Sequence, residues 1–185
     1  MKATYGTLDD ADDGDGRVPP TTLRANKLCW TIETNSVKRE LLSDVSARFS
    51  PGTITALVGP SGAGKTSLLM ALAGRLQGDH RGAILVNDVA ATASERSRLS
   101  SLMPQDDRLF ESLTVEETLL YAARLKLRVN REGRAARVRS VLKALGLTDV
   151  HKESIKNVSG GQRRRTSAAI ELLSKRPLLL LDEPT

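Results

Sequence analysis

The apolar residues of this chain follow two spacings, and together these predict a fold that mixes strands with helices. Short β-rich runs with alternating apolar and polar positions are typical of strands, whereas apolar residues recurring every three or four positions are typical of helices. The strand-like runs cover residues 25–33, 45–49, 53–58 and 82–88, with a turn near Asn35 and Ser36. The helix-like runs cover residues 67–73, 114–127, 131–145 and 161–174.

Signals at the ends of these runs support the helices. Thr114 and Glu117 form a capping-box pattern, in which each side chain bonds the other residue's backbone N–H. Gly146 directly follows the 131–145 run, and a helix commonly ends at such a glycine. The charged residues of this run are most simply interpreted as a solvated helix face. Residues 107–157 are therefore expected to form an all-helical insert within an α/β chain.

The run Leu178–Leu181 is continuously apolar and is followed directly by Asp182 and Glu183. Such a run is typical of a strand buried in a parallel sheet, and α/β sheets bind ligands at the carboxyl ends of their strands. We therefore expect Asp182 to hold Mg²⁺, directly or through water, and Glu183 to polarise an attacking water molecule.

Composition and charge narrow the class of protein only slightly. The 185 residues suffice for one domain with a sizeable core, the single Cys29 fits a reducing compartment, and no apolar run approaches the ~18 residues of a spanning helix. Five aspartates against Lys2 and Arg17 give residues 1–22 a net charge of −3, so the remaining chain carries +9. Residues 1–22 are expected to be a disordered acidic leader before one domain over residues 23–185. The basic remainder fits a nucleic-acid or anionic membrane partner, or simply a solvated surface.

The most informative stretch lies between a predicted strand and a predicted helix. It fits the pattern G-x-x-x-x-G-K-[ST], whose backbone N–H groups surround the phosphates of a nucleotide at a helix N-terminus. Lys65 is expected to reach the β- and γ-phosphates, and the Thr66 hydroxyl is expected to hold Mg²⁺. The predicted phosphate contacts are Gly59, Pro60, Ser61, Gly62, Ala63, Gly64, Lys65, Thr66 and Ser67.

A second candidate anion site precedes the helix predicted over residues 161–174. Ser159 offers a hydroxyl, and Gly160 and Gly161 expose backbone N–H groups at the start of that helix. This motif alone is a weak signal, because Ser-Gly-Gly is common in loops.

Taken in order, these motifs resemble an ATP-binding cassette (ABC) ATPase domain over about residues 23–185. The phosphate loop, Gln105, the Val-Ser-Gly-Gly-Gln signature and the Leu-Leu-Leu-Leu-Asp-Glu-Pro-Thr segment all follow the family's sequence and spacing. The amino-acid sequences of residues 103–107, 113–119 and 161–165 are similar to those of the White-type G subfamily. The resemblance implies a P-loop NTPase fold with a parallel-sheet core, an N-terminal antiparallel β portion and the helical insert.

The resemblance also implies a role for each matching residue. Trp30 falls where the family has an aromatic residue that stacks on adenine, although a packing role is equally open from the residues alone. Gln105 matches the loop glutamine that contacts Mg²⁺, Asp182 the acid of the metal site, and Glu183 the general base. The signature residues are expected to close on the γ-phosphate of a nucleotide in the opposite protomer, and they are Ser159, Gly160, Gly161 and Gln162.

The implied function is ATP hydrolysis by a pair of cassettes that drives a transmembrane domain from the cytoplasmic face of a membrane. The cofactors are ATP and Mg²⁺, and no nucleic-acid partner is expected. The family's next loop and switch histidine follow the acid pair, and His80 and His151 precede it, so hydrolysis by this chain alone stays open. The alternatives are a non-catalytic fragment that pairs with intact cassettes, and a soluble ABC protein that acts on nucleic acid or ribosomes.

Overall fold

The computed structural model describes residues 18–106 and 109–183. Most of the predicted acidic leader, residues 1–17, lies outside the described residues. The chain divides into two compact units: residues 1–100 with 176–178, and residues 101–175 with 179–185. Each unit is described by itself.

The first unit contains an antiparallel sheet of four strands in the order β2-β1-β3-β4. Its strands are β1 (Leu23–Thr34), β2 (Val37–Phe49), β3 (Asp79–Val86) and β4 (Val89–Ala90), and its helices are α1 (Lys65–Leu72) and α2 (Ala93–Leu99). The β1–β2 turn places Asn35 and Ser36 at φ values of 51° and 63°, which suits a two-residue hairpin. The predicted antiparallel portion and its turn are therefore confirmed.

The strand predicted for residues 53–58 is wrong, because these residues form no ladder in the structure. Ile54 and Val58 are almost fully exposed, at 102% and 93%. An alternating, β-rich run favours an extended backbone, but a strand also needs a neighbour whose backbone groups complete its hydrogen bonds. The described chain supplies no such neighbour to this run, so the structure confirms the mixed α/β class and leaves the parallel core around this run a prediction.

Helix α2 is an element that the apolar pattern does not predict, because its residues are mostly polar. Thr92 and Glu95 form a capping box at its start, with the Thr92 backbone N–H donating to the Glu95 carboxylate at 2.7 Å. Arg96 is buried, and its guanidinium donates to the carbonyls of Ala71 and Ala91. Helix α2 is thus stabilised by its cap and by one buried arginine rather than by an apolar stripe.

The second unit contains a two-stranded sheet and a group of helices. Its elements are β5 (Ser100–Met103), α3 (Val115–Lys126), α4 (Arg131–Ala144), 3₁₀ turns at Thr148–Val150 and Ile155–Asn157, α5 (Gly160–Leu173) and β6 (Leu178–Leu181). Strands β5 and β6 are hydrogen-bonded neighbours. The capping box at Thr114 and the helix end near Gly146, which has a φ of 61°, are confirmed. The predicted helical insert begins in residues 107–108, which lie outside the described residues.

The core of the second unit lies between α3, α4 and α5. Its fully or almost fully buried members come from all three helices and from the segment before α5, and they include Leu119, Leu142, Leu147, Ile155 and Leu173. The structure also corrects the interpretation of helix α4 as having a wholly solvated charged face. Arg137 is half-buried and donates to the carbonyls of Leu172 and Leu173 at the end of α5, so it satisfies groups that the helix leaves unpaired.

Candidate nucleotide-binding site

The predicted phosphate loop lies in the first unit and leads directly into α1. Gly62 and Gly64 have φ values of 80° and 86°, in the left-handed region that glycine adopts without strain. Gly64 is also the N-cap of α1, and a Cβ atom there would lie 2.8 Å from the Leu41 carbonyl oxygen. Both the backbone angle and the close approach therefore require glycine at position 64.

The Lys65 amine lies over the loop that it is predicted to serve. Its Nζ donates to the carbonyl oxygens of Gly59 and Pro60, both at 2.8 Å, and the loop is exposed on its surface. The first N–H groups of a helix have no intrahelical partner, so the start of α1 combines a fixed positive charge with backbone donors. This arrangement is chemically suited to bind the phosphates of a nucleotide.

Trp30 has a packing role in this structure. Its side chain is 3% exposed, its Nε1 donates to the Gln77 carbonyl at 2.9 Å, and its ring stacks on His80 with centroids 4.4 Å apart. One face of the indole is therefore covered, and an adenine on that face would have to replace His80. The packing interpretation has a direct structural basis, and adenine stacking stays a prediction.

The signature residues lie at the start of α5 in the second unit. The Ser159 hydroxyl accepts from the Gln162 N–H at 3.2 Å, while the Gln162 side chain accepts from the Ser159 N–H at 2.8 Å. Gly160 and Gly161 are exposed, and a Cβ atom on either would meet no atom within 4 Å. The start of α5 is thus capped by an uncharged capping box. The space around its two glycines is open, so an anion could approach them.

Two of the predicted catalytic residues are in contact at the end of the two-stranded sheet. The Gln105 amide Nε2 donates to the Glu183 carboxylate at 2.9 Å. Asp182 is buried at 6% exposure and its backbone N–H donates to the Met103 carbonyl, whereas Glu183 is exposed. The acid pair therefore divides into one sheltered carboxylate and one that water reaches.

The donor set fits Mg²⁺ bound together with a nucleotide. The described residues contain no group of three or more His, Cys, Asp or Glu side chains that could hold a metal ion by themselves. Mg²⁺ usually takes one or two carboxylates, keeps several waters and completes its shell with substrate phosphates. Within the second unit, Asp182 offers a carboxylate and Gln105 an amide oxygen of the kind that such an ion accepts. Thr66, in the first unit, stays a predicted ligand.

The structure brings together only some of the predicted residues. Gln105, Asp182 and Glu183 meet within the second unit, together with the signature helix α5, while the phosphate loop and Trp30 belong to the first unit. Their assembly into one site stays a prediction. The sequence did not single out Arg164, which is buried in α5 and donates to the backbone carbonyls of Gln105 and Glu183. It stands in a run of three arginines, and nothing in their spacing distinguishes the buried one.

Among residues 18–106 and 109–183, no helix is long and apolar enough to cross a membrane.

Comparisons with known proteins agree with the order of these motifs. The chain matches the family model described as ABC transporter over residues 42–185. It is 43% identical to ABC transporter G family member 22 of Arabidopsis thaliana over 160 residues, which are 82% of this chain and 21% of that protein. It is 44% identical to G family member 25 of the same plant over 162 residues, 83% of this chain and 24% of that protein.

A third relative, ABC transporter G family member STR of Petunia hybrida, is 38% identical over 185 residues, 91% of this chain and 22% of that protein. The chain thus spans about a fifth to a quarter of the length of these relatives. The matched region contains the phosphate loop, Gln105, the signature and the acid pair. On the extent of that match, the chain belongs to the ABC transporter family.

Proposed function

We propose that this chain is the ATP-binding and ATP-hydrolysing part of a G-type ABC transporter. The observation that carries the proposal is the phosphate loop, in which two left-handed glycines lead into α1 and position the Lys65 amine over the loop. The G-family names of the similar plant proteins support the subfamily.

The chain's own residues account for phosphate binding and for activation of water. Lys65 exchanges its two loop carbonyls for phosphate oxygens when the nucleotide arrives. Thr66 and Asp182 are the residues that would hold Mg²⁺, and the ion, when bound, would neutralise charge on the β- and γ-phosphates. Glu183 accepts a proton from the attacking water, and Gln105 fixes the orientation of that carboxylate through the 2.9 Å hydrogen bond. A positioned general base contributes roughly 10²–10⁴-fold to a rate.

The proposed transporter also contains a second cassette and a membrane domain. The start of α5 is solvent-exposed at Ser159, Gly160 and Gly161, so it is accessible to a nucleotide held by another protomer. A helix N-terminus favours such an anion. The core domain is then a P-loop NTPase fold with a parallel sheet, located on the cytoplasmic face of a membrane, with residues 107–157 as its helical subdomain.

The test is Mg-ATP binding and hydrolysis by the longest natural form of the protein, reconstituted in lipid. Lys65→Ala is expected to weaken ATP binding at least 10-fold, and Glu183→Gln to leave binding intact while lowering turnover by about 10²-fold or more. Lys38→Ala removes a lysine from an exposed position on β2 and is the matched control. Unchanged ATP affinity in Lys65→Ala, with the control also unchanged, would show that the loop does not bind phosphate. Salt-sensitive binding of RNA or DNA would instead favour the nucleic-acid alternative.

A further inference from the structure

Arg164 contacts both segments that carry the predicted catalytic residues of the second unit. Its side chain is only 8% exposed, although it extends from the charged run at the start of α5. Its Nε donates to the Glu183 carbonyl at 2.8 Å, and its Nη1 donates to the carbonyls of Pro104 at 2.9 Å and Gln105 at 2.8 Å. Its Nη2 donates to the Asp182 carbonyl. One guanidinium therefore satisfies four backbone carbonyls on two segments.

These carbonyls lie where the two-stranded sheet ends. The Asp182 N–H still pairs with the Met103 carbonyl at 3.1 Å. Beyond that bond, the segments that carry Gln105 and Glu183 leave the ladder, and their buried or partly buried carbonyls need other partners. The guanidinium supplies them, because its N–H groups radiate in one plane with fixed geometry.

The backbone of Glu183 needs this kind of support. Its φ is +49°, an uncommon conformation for a residue with a side chain, and such a conformation persists only when surrounding contacts enforce it. The carbonyl that follows this dihedral is one of the four that Arg164 binds. The same guanidinium holds the Gln105 carbonyl, so both residues of the 2.9 Å side-chain pair are fixed from their backbones.

We propose that Arg164 is a positioning residue that fixes the Gln105–Glu183 pair and ties it to the signature helix. The inference rests on the proposed function. Ser159 and its glycines serve the nucleotide of the opposite protomer, whereas Gln105 and Glu183 serve the nucleotide of their own. Arg164 is on the same helix as the former and bonds the backbone of the latter, so it transmits the position of one site to the other. Misplacement of catalytic groups by about 1 Å can cost roughly 10²-fold in rate.

A lysine cannot replace this arginine in the proposed role. An ammonium carries three donors around one atom, while the four carbonyls are bound from three different nitrogens of a planar group. Arg164→Lys keeps the charge and most of the buried stem, so it is expected to fold. It is nevertheless expected to lose the fixed arrangement of the Gln105–Glu183 pair.

The experiment compares Arg164→Lys and Arg164→Ala with Arg139→Ala, which removes an exposed arginine from α4. Each variant is made in the longest natural form of the protein, reconstituted in lipid. The measurements are kcat and KM for ATP hydrolysis, equilibrium ATP affinity, and the melting temperature. We expect both Arg164 variants to lose about 10- to 100-fold in kcat. ATP affinity should change less than about 3-fold, since the phosphate loop is untouched, and the Arg164→Lys protein should melt within about 3 °C of the parent.

Three results would overturn the inference. Parent-like kcat in Arg164→Lys would show that the fork of hydrogen bonds does not matter to turnover. Melting of both Arg164 variants far below the parent and the control would make Arg164 a stability residue only. If the parent and Arg139→Ala neither bind nor hydrolyse ATP, the proposed function itself fails and the inference fails with it. The first two results, obtained with a parent that hydrolyses ATP, would refute the inference alone.

Discussion

Replacing Trp30 by phenylalanine separates the packing role of this residue from the proposed adenine-stacking role. Trp30 is the only tryptophan in the chain, its ring is almost fully buried, and its Nε1 donates to the Gln77 carbonyl. Phenylalanine keeps an aromatic ring against His80 but removes that donor and part of the buried ring.

The expected loss in the free energy of unfolding is the sum of the contributions of these two changes. Loss of one buried hydrogen bond costs about 0.5–1.5 kcal/mol, and the smaller ring costs about 1 kcal/mol more in lost burial. The free energy of unfolding should therefore fall by about 1.5–2.5 kcal/mol, which is roughly a 10- to 70-fold change in the folding equilibrium. Trp30→Ala should cost about 3–5 kcal/mol, because it also empties the site.

The assay is urea unfolding of the chain followed by circular dichroism, with ATP titrated into the folded wild-type protein. His80→Ala removes the stacking partner from an exposed position and is the companion variant, expected to cost about 0.5–1.5 kcal/mol. An unchanged urea midpoint in Trp30→Phe would refute the packing argument. Because Trp30 is the sole indole, its fluorescence reports ligand contact directly, and no change at saturating ATP would refute adenine stacking.

Further predictions concern helix caps and the helical core. Thr114→Ala removes the N-cap of α3 and should lower the free energy of unfolding by about 0.5–2 kcal/mol in urea titrations, and an unaltered midpoint would contradict the cap's role. Hydrogen bonds from Thr114 lower the pKa of Glu117 from its ordinary value of 4.5, so the cap's contribution is present above that value and is lost as pH falls through the folded-state pKa. Circular dichroism below pH ~4.5 should show this loss in wild type, and a Glu117→Gln protein with the same acid profile would refute it. Leu142→Ala opens a cavity in the buried cluster and should cost about 2–5 kcal/mol, whereas Leu125→Ala, at a position 74% exposed, should have little effect.

Local chemistry made several elements predictable from the sequence. The Thr114 capping box and Gly146 mark helix boundaries because each acts within a few residues of the backbone groups that it serves. The turn at Asn35 and Ser36 is predictable for the same reason, since a tight hairpin favours residues that tolerate positive φ. The turn of the predicted phosphate loop also belongs to this group, because its left-handed Gly62 and Gly64 lie in one continuous stretch. Its binding of phosphate stays a prediction.

The features that sequence analysis missed depend on distant partners. Residues 53–58 have a strand-like pattern but no neighbouring strand in the described chain, and pattern alone does not supply one. Arg137 and Arg164 cannot be told from neighbouring exposed arginines by residue type. Each is buried or partly buried because its guanidinium donates hydrogen bonds to backbone carbonyls of another segment. Helix α2 was the exception, because its Thr92–Glu95 box was a local signal that the apolar pattern obscured.

The cap at the N-terminus of α5 should respond to acid differently from the caps of α2 and α3. Helices α2 and α3 begin at boxes closed by the carboxylates of Glu95 and Glu117, which acid neutralises. Helix α5 begins at a Ser159–Gln162 box with no ionisable group. Its last carbonyls accept hydrogen bonds from Arg137, whose pKa is lowered by burial but whose guanidinium stays charged in acid. As pH falls, fraying should therefore start at the N-termini of α2 and α3, while the N-terminus of α5 keeps its cap. The N-terminus of α5, which bears the signature, therefore has no protonatable group in its cap. An acid-induced loss of ATP turnover should not arise from release of this cap.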